Sequence, residues 1–361
     1  MHTEEFYRRF SSNTLAGTSN QYYADRPETV TACAFYRVFR AGTYPYSFLF
    51  TNTTDSTFAD GRVSRRNEPG GEWEISGMEV AVTPARALFP EEDPARYIPL
   101  TFSGAHTRRV LPDELFCTDP IPLTVGEGDY LCLRMTYRGR RIPCHVENQI
   151  PTFLRGPSGW RPEKEILLPS MVGAERKVRE RIGFFGDSIT QGIGCPEDSY
   201  AFYAAVCAKE LGTDYSFWNL GIGYARASDA ATGGAWLQKA LHCDTLIVCL
   251  GVNDILHIGN GENLRKDLMT VAKTLTGAGK KVFWQFVPPF DYDAAHGAMA
   301  DEANELIATK IQALGIPVFD ETGILTDPAV PYHARYGGHP DAEGCALWGR
   351  ALAKFLRERG Y

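Results

Sequence analysis

A serine, an asparagine and a histidine far apart in the chain carry its chemical signal. Ser188 follows Arg181-Ile182-Gly183-Phe184-Phe185-Gly186-Asp187, an apolar run too short for a helix and suited to a buried strand ending in a turn. Tyr224 closes Gly221-Ile222-Gly223-Tyr224 after a second such run at 215–220, and Asn253 lies in Gly251-Val252-Asn253-Asp254 after a third at 245–250. His339 stands in Gly337-Gly338-His339-Pro340, ahead of an amphipathic stretch. A serine hydroxyl is a weak nucleophile at neutral pH and needs a base within hydrogen-bond reach, for which imidazole has a suitable pKa. Attack on an acyl carbonyl puts negative charge on its oxygen, and backbone N–H groups or an Asn amide fixed beforehand stabilise that charge. Taken alone, Gly-Asp-Ser reads as a solvated turn. The four positions together point to acyl-group chemistry.

The elements that must position these residues alternate. Helical patterns at 199–211 (Ser199 as cap, Gly212 as stop), 235–241, 264–275, 302–314 and 342–359 separate the runs at 181–186, 215–220, 245–250, 281–287 and 317–319. Such alternation predicts a flavodoxin-like, three-layer α/β/α domain around a parallel sheet. Ser188, Tyr224 and Asn253 then fall along the carboxyl edge of that sheet, where open α/β sheets place their sites. The loop carrying His339 can swing back over the same edge.

The first half reads differently. Residues 29–39, 46–50, 73–82 and 130–135 are β-branched, aromatic or alternating, with turn clusters such as Glu68-Pro69-Gly70-Gly71 and Gly126-Glu127-Gly128-Asp129 between them. This predicts a jelly-roll-like β-sandwich over 1–170 and the α/β domain over 171–361, joined through the Gly- and Pro-containing, then charged, stretch at 156–181. Tyr22, Tyr23, Tyr44 and Trp73 could stack on sugars, but aromatics in strands are more often core, and that reading is preferred. Arg138-Gly139-Arg140-Arg141 reads as a solvated hairpin tip.

Composition narrows the rest. In 361 residues, 44% hydrophobic and 22% charged residues suit a folded protein with a sizeable core. A net charge of -7 speaks against a nucleic-acid footprint. No run approaches the roughly 20 apolar residues of a membrane span. Nine cysteines without a Cys-x-x-Cys pair, and a start lacking a signal-like apolar segment, lead to the expectation of a reducing, cytoplasmic setting. His242, His257, His296 and His333 lack metal-ligand spacing, so no metal is expected, with His333 kept as a possible cleft residue. The glycines at 221 and 223 do not complete a nucleotide-binding pattern, so no cofactor is expected. Asp187 and Asp254 read as loop-base hydrogen-bonding groups, and Arg226 as a surface ion-pair member rather than an anion contact.

Gly186-Asp187-Ser188, the stretch Asn219-Leu220-Gly221-Ile222-Gly223-Tyr224, Gly251-Val252-Asn253-Asp254 and His339-Pro340-Asp341-Ala342-Glu343-Gly344 resemble, in order, the four blocks of the SGNH (GDSL-type) esterase superfamily. The resemblance covers residues 180–361. It implies Ser188 as nucleophile, His339 as general base, and an oxyanion hole of Ser188, Tyr224 and Asn253, with Gly223 as fallback. The first half is similar in architecture to the sandwich of two-domain carbohydrate esterases in the superfamily. The implied activity is hydrolysis of small acyl esters, acetyl first, of carbohydrates or other polar alcohols, with a small-molecule or oligosaccharide ester as substrate. An acyltransferase with the same machinery and a catalytically degenerate carbohydrate-binding protein are the rivals.

Two positions depart from the family's pattern. Tyr224 stands where a glycine is usual, and Tyr336 stands three residues before the histidine, where an aspartate is usual. Losing a triad carboxylate can cost about 10⁴ in rate. Some two-domain relatives work as Ser-His dyads with a main-chain carbonyl orienting the ring, so a carbonyl of Tyr336, Gly337 or Gly338 is the expected partner here. Asp341 and Asp327 are the lesser candidates.

Overall fold

Thr245–Cys249 is buried along its whole length and flanked on both sides by parallel neighbours, which is why it reads as an unbroken apolar run. The structure is a computed structural model and describes all residues except 56, 60–62, 66, 85–89, 91–95, 259 and 260. The chain divides into two compact units, Met1–Asp55 with Asn67–Val178, and Ser56–Arg66 with Arg179–Tyr361. The break at Val178 falls later than the one expected after residue 170. Met171–Ala174, short and wholly buried, pairs antiparallel with Gly42–Thr51 and so belongs to the first unit.

The first unit is β-rich. One antiparallel sheet runs Ser11–Ser12, Met171–Ala174, Gly42–Thr51, Ile121–Val125, with Leu115–Cys117 also on Gly42–Thr51. The other runs Gly159–Pro162, Thr152–Gly156, Asn20–Arg37, Tyr130–Val146, Trp73–Thr83, Ile98–Pro99, with Arg108–Val110 on Trp73–Thr83. A helix, Thr3–Arg9, precedes them, with Glu4 and Glu5 in its first turn and Arg8 and Arg9 in its last, where they complement the helix dipole. Its single pair of turns left no periodic signal in the sequence.

Arg138–Arg141 is not a hairpin tip. These residues lie inside the long strand Tyr130–Val146, where the register shifts around Gly139 mark a bulge. Charge at these positions reflects an open strand face: Arg138 pairs with Glu74, and the Arg141 guanidinium sits 4.3 Å from the centre of the Tyr23 ring. The aromatics considered for sugar stacking are largely occupied. Trp73 is buried with its Nε1 donating to Asn52 Oδ1 at 2.8 Å, and Tyr23 Oη donates to the Glu68 carbonyl at 2.6 Å.

The second unit holds five parallel strands, β1 (Arg181–Gly186), β2 (Ser216–Asn219), β3 (Thr245–Cys249), β4 (Lys281–Gln285) and β5 (Val318–Phe319), in the order β2-β1-β3-β4-β5. This is the doubly wound order whose direction reverses between β1 and β3, opening a crevice at their carboxyl ends. Ser188 and Asn253 flank that switch point. The helix expected from Ser199 begins at Tyr203, because Tyr200 takes a left-handed φ of 50° and Phe202 is the cap position. The helix expected from residue 302 begins at Ala294, where the Asp293 side chain caps it. Ala227–Ala231 is a further short helix without a sequence signal.

The final helix, Ala342–Arg357, fixes where the histidine loop ends. Trp348 stacks on Tyr203 at 3.9 Å and 9°, and its Nε1 donates to Gln285 Oε1 at 2.8 Å. The Asp341 carboxylate caps the helix, accepting from the N–H groups of Glu343 and Gly344 at 2.9 Å each. Among the described residues no helix is long and apolar enough to cross a membrane.

Candidate active site

β1 ends in Gly186 because a side chain there has no room: a Cβ would lie 2.1 Å from Thr190 Oγ1 and 2.5 Å from the Cys249 carbonyl. The chain then turns into a short helix, Ser188–Gln191, whose cap Asp187 accepts from Ile189 N–H at 3.0 Å. Burial pushes the Asp187 carboxyl up to about 7, against the opposing pull of those backbone N–H groups. Its role is to close the turn that presents Ser188. Thr190 Oγ1 meets Tyr203 Oη at 2.8 Å, so the serine turn is tied to the same helix on which Trp348 packs.

The loop after β2 is fastened to this turn. Asn219 Nδ2 donates to the Thr190 carbonyl and its Oδ1 accepts from Gly221 N–H, each at 2.9 Å, while Ile222 N–H donates to the Gly186 carbonyl at 3.1 Å. Two residues further on, Tyr224 has φ 61°, in the left-handed region that favours glycine. The geometry gives the physical reason for a glycine at this position, and Tyr224 holds it with a half-buried side chain.

Asn253 is buried and donates one Nδ2 hydrogen to the Ala225 carbonyl at 3.0 Å, which fixes its amide beside the Tyr224 loop. The neighbouring Asp254 carboxylate accepts from Ala227 N–H at 2.9 Å and is pushed up to about 7 by burial. Arg226 is no surface residue. It forms a buried two-contact ion pair with Asp229, 2.8 and 3.2 Å, that caps Ala227–Ala231 and occupies its guanidinium.

Ser188 Oγ lies 2.8 Å from His339 Nε2, across 151 residues of sequence. Burial lowers the imidazole pKa below its usual 6.5, so the ring is the neutral, proton-accepting form at neutral pH. The orienting carbonyl expected from Tyr336, Gly337 or Gly338 is not in place. Among the described residues none of the three accepts from the ring, and the Tyr336 carbonyl takes Asp341 N–H at 3.1 Å instead. Asp341 is engaged as the helix cap and Asp327 accepts from Ala329 N–H at 2.8 Å, so neither carboxylate replaces the missing one. The imidazole also packs on Phe290, at 5.1 Å and 78°. Phe290 escaped the sequence reading, although an aromatic directly after the end-of-strand Pro288-Pro289 is a usable signal for a residue at the site edge.

His333 is exposed, with Nδ1 3.9 Å from Asp291 Oδ1, and His296 pairs with Asp293 at 2.9 Å. The His257 side chain lies outside the described ones. Among the described residues no group of three or more His, Cys, Asp and Glu is arranged to hold a metal ion.

A strand-end serine thus meets a part-buried imidazole at the carboxyl edge of a doubly wound sheet, an arrangement able to activate the hydroxyl as a nucleophile. Residues 184–347 match the model of the GDSL-like Lipase/Acylhydrolase family, in line with the four sequence blocks that resemble the SGNH hydrolase superfamily. No curated protein matches the chain. Among solved structures, a family two carbohydrate esterase from Clostridium thermocellum in complex with cellohexaose aligns over 97% of this chain and 98% of its own, at 14% identity and TM-score 0.44. A carbohydrate acetylesterase from Sinorhizobium meliloti covers 50% of this chain and 100% of its own, at 16% identity and TM-score 0.41. The aryl esterase of M. smegmatis covers 50% and 99%, at 18% identity and TM-score 0.40.

Proposed function

We propose that the protein is a serine esterase that removes a small acyl group, acetyl first, from a carbohydrate or other polar alcohol. The observation that carries this reading is the 2.8 Å contact between Ser188 Oγ and His339 Nε2 at the carboxyl edge of the sheet. His339 accepts the hydroxyl proton as Ser188 attacks the ester carbonyl. The oxyanion is met by the N–H groups of Ser188 and Tyr224 and by the Asn253 hydrogen not donated to Ala225. Collapse expels the alcohol, which takes the proton from His339, and a water deprotonated by the same imidazole then releases the acid from Ser188.

The β-rich first unit is read as a jelly-roll-like sandwich accessory domain, and the nine cysteines, all buried and none in a disulfide, support a reducing, cytoplasmic setting. Acetate release from p-nitrophenyl acetate and from a panel of acetylated sugars, wild type against Ser188→Ala, tests the reading. Equal, slow release by both would leave a non-catalytic binding protein. Ester formation with an added acceptor alcohol would identify an acyltransferase instead.

The acyl preference has its own test. Tyr224→Gly suits the left-handed backbone and removes a bulky ring beside the oxyanion position. The ratio of butanoyl to acetyl turnover is expected to rise by roughly tenfold or more, the scale of one or two methylenes gaining a pocket. An unchanged ratio across a p-nitrophenyl ester series would remove Tyr224 from the acyl wall.

A further inference from the structure

We propose that Phe290 is the positioning residue that holds the His339 imidazole toward Ser188, by ring packing that supplies the orienting part of a triad carboxylate's role without its charge. The inference rests on the Ser188–His339 reading above. Its starting point is that the ring has a defined hydrogen bond through Nε2 and no carboxylate or loop carbonyl on the other nitrogen among the described residues. An imidazole held at a single atom can still rotate about χ2, so something else must set its plane.

Phe290 meets that need from two sides. Its ring lies 5.1 Å from the imidazole centre at 78°, an edge-to-face arrangement that fixes the relative planes. It also covers the Cα of Gly338, the residue before the histidine: a Cβ there would come within 3.0–3.1 Å of three Phe290 ring atoms. One aromatic ring thus constrains both the imidazole and the backbone that carries it. Phe290 is itself held. Pro288-Pro289 stiffens the exit from β4, and buried Tyr292 packs on Phe290 at 6.4 Å while its Oη donates to the Pro288 carbonyl at 3.3 Å.

The titratable groups around the histidine loop leave burial as the dominant influence on the ring. Asp341 is engaged with the N–H groups of Glu343 and Gly344, and Asp187 with that of Ile189. The Cys195 and Cys345 thiols point at the Pro340 carbonyl, at 3.9 and 3.3 Å. Tyr336 carries Arg335 over its ring at 5.3 Å, and Tyr292 lies behind Phe290. Asp291, in the segment after β4, and His333, in the histidine loop, face each other at 3.9 Å on the exposed side. Burial alone accounts for the lowered imidazole pKa. Removing Phe290 admits water, so that pKa rises toward about 6.5 and the acid limb of the rate profile moves to higher pH.

The test compares Phe290→Ala, Phe290→Leu and Phe290→Tyr with wild type, using p-nitrophenyl acetate kinetics across pH and an NMR titration of the His339 ring. For Phe290→Ala, kcat is expected to fall on the order of 10–100-fold with KM nearly unchanged, the scale of a misplaced reacting group. Both the acid limb and the NMR midpoint should move up. Phe290→Tyr, which keeps the ring, should restore wild-type behaviour, whereas a role in stability alone would lower the melting temperature and leave both midpoints in place. Should the alanine variant fail to fold, Phe290→Leu decides, since it keeps bulk without an aromatic plane: several-fold lower kcat supports the proposal, and wild-type kcat overturns it. Wild-type kinetics with an unmoved midpoint in Phe290→Ala also overturns it. Absence of Ser188-dependent turnover in the wild type would overturn the esterase reading, while the NMR midpoint would still report whether Phe290 shields the ring.

Discussion

Ser188→Ala and His339→Ala are each expected to lower kcat on acetyl esters by about 10⁴-fold or more, and the double variant by no more than the worse single one. The reason is that the two side chains form one device. A hydroxyl without the imidazole stays protonated, and an imidazole without the hydroxyl has nothing to activate, so the second deletion removes what the first has already disabled. The 2.8 Å contact makes this a demand of the geometry. Single-turnover and steady-state assays of the three variants form the cycle. Additive losses would mean that Ser188 and His339 act independently and would end the dyad mechanism. Stability should hardly change for Ser188→Ala, because a single half-exposed hydrogen bond contributes only about 1 kcal/mol net.

Asn253→Ala should lower kcat by about 10²–10³-fold with little change in KM, the loss seen when one oxyanion donor is removed. The amide interacts with a charge that exists only in the transition state, so its absence is felt in kcat. This variant has a second expected signature. Asn253 is buried and donates to the Ala225 carbonyl at 3.0 Å, so its removal strands that acceptor at a cost of about 1–3 kcal/mol. The melting temperature should therefore fall together with kcat. A normal kcat in a destabilised Asn253→Ala enzyme would assign the residue to the loop structure alone.

Much of the candidate site could be proposed before any coordinates. Ser188, Tyr224 and Asn253 sit at the ends of apolar runs, and strand ends are local events recorded in a few neighbouring residues. The alternation of patterns also defined the parallel sheet, since periodicity reports which face of each element is buried. The loop-base roles of Asp187 and Asp254 followed from their positions, and both accept backbone N–H groups as expected.

What the sequence alone determined, then, is the set of candidate groups, their order and the elements that bear them. Only the tertiary structure decided how they meet. The pairing of Ser188 with His339 depends on the final helix docking Trp348 against Tyr203, a contact between distant segments that no local pattern encodes. The bond of the Tyr336 carbonyl to Asp341 N–H, the Arg226–Asp229 pair and the packing of Phe290 on the imidazole are of the same kind. Local propensity is set by residues within a turn or two. Orientation at an active site is set by which side chains the fold presses together, and that is settled only when the layers pack.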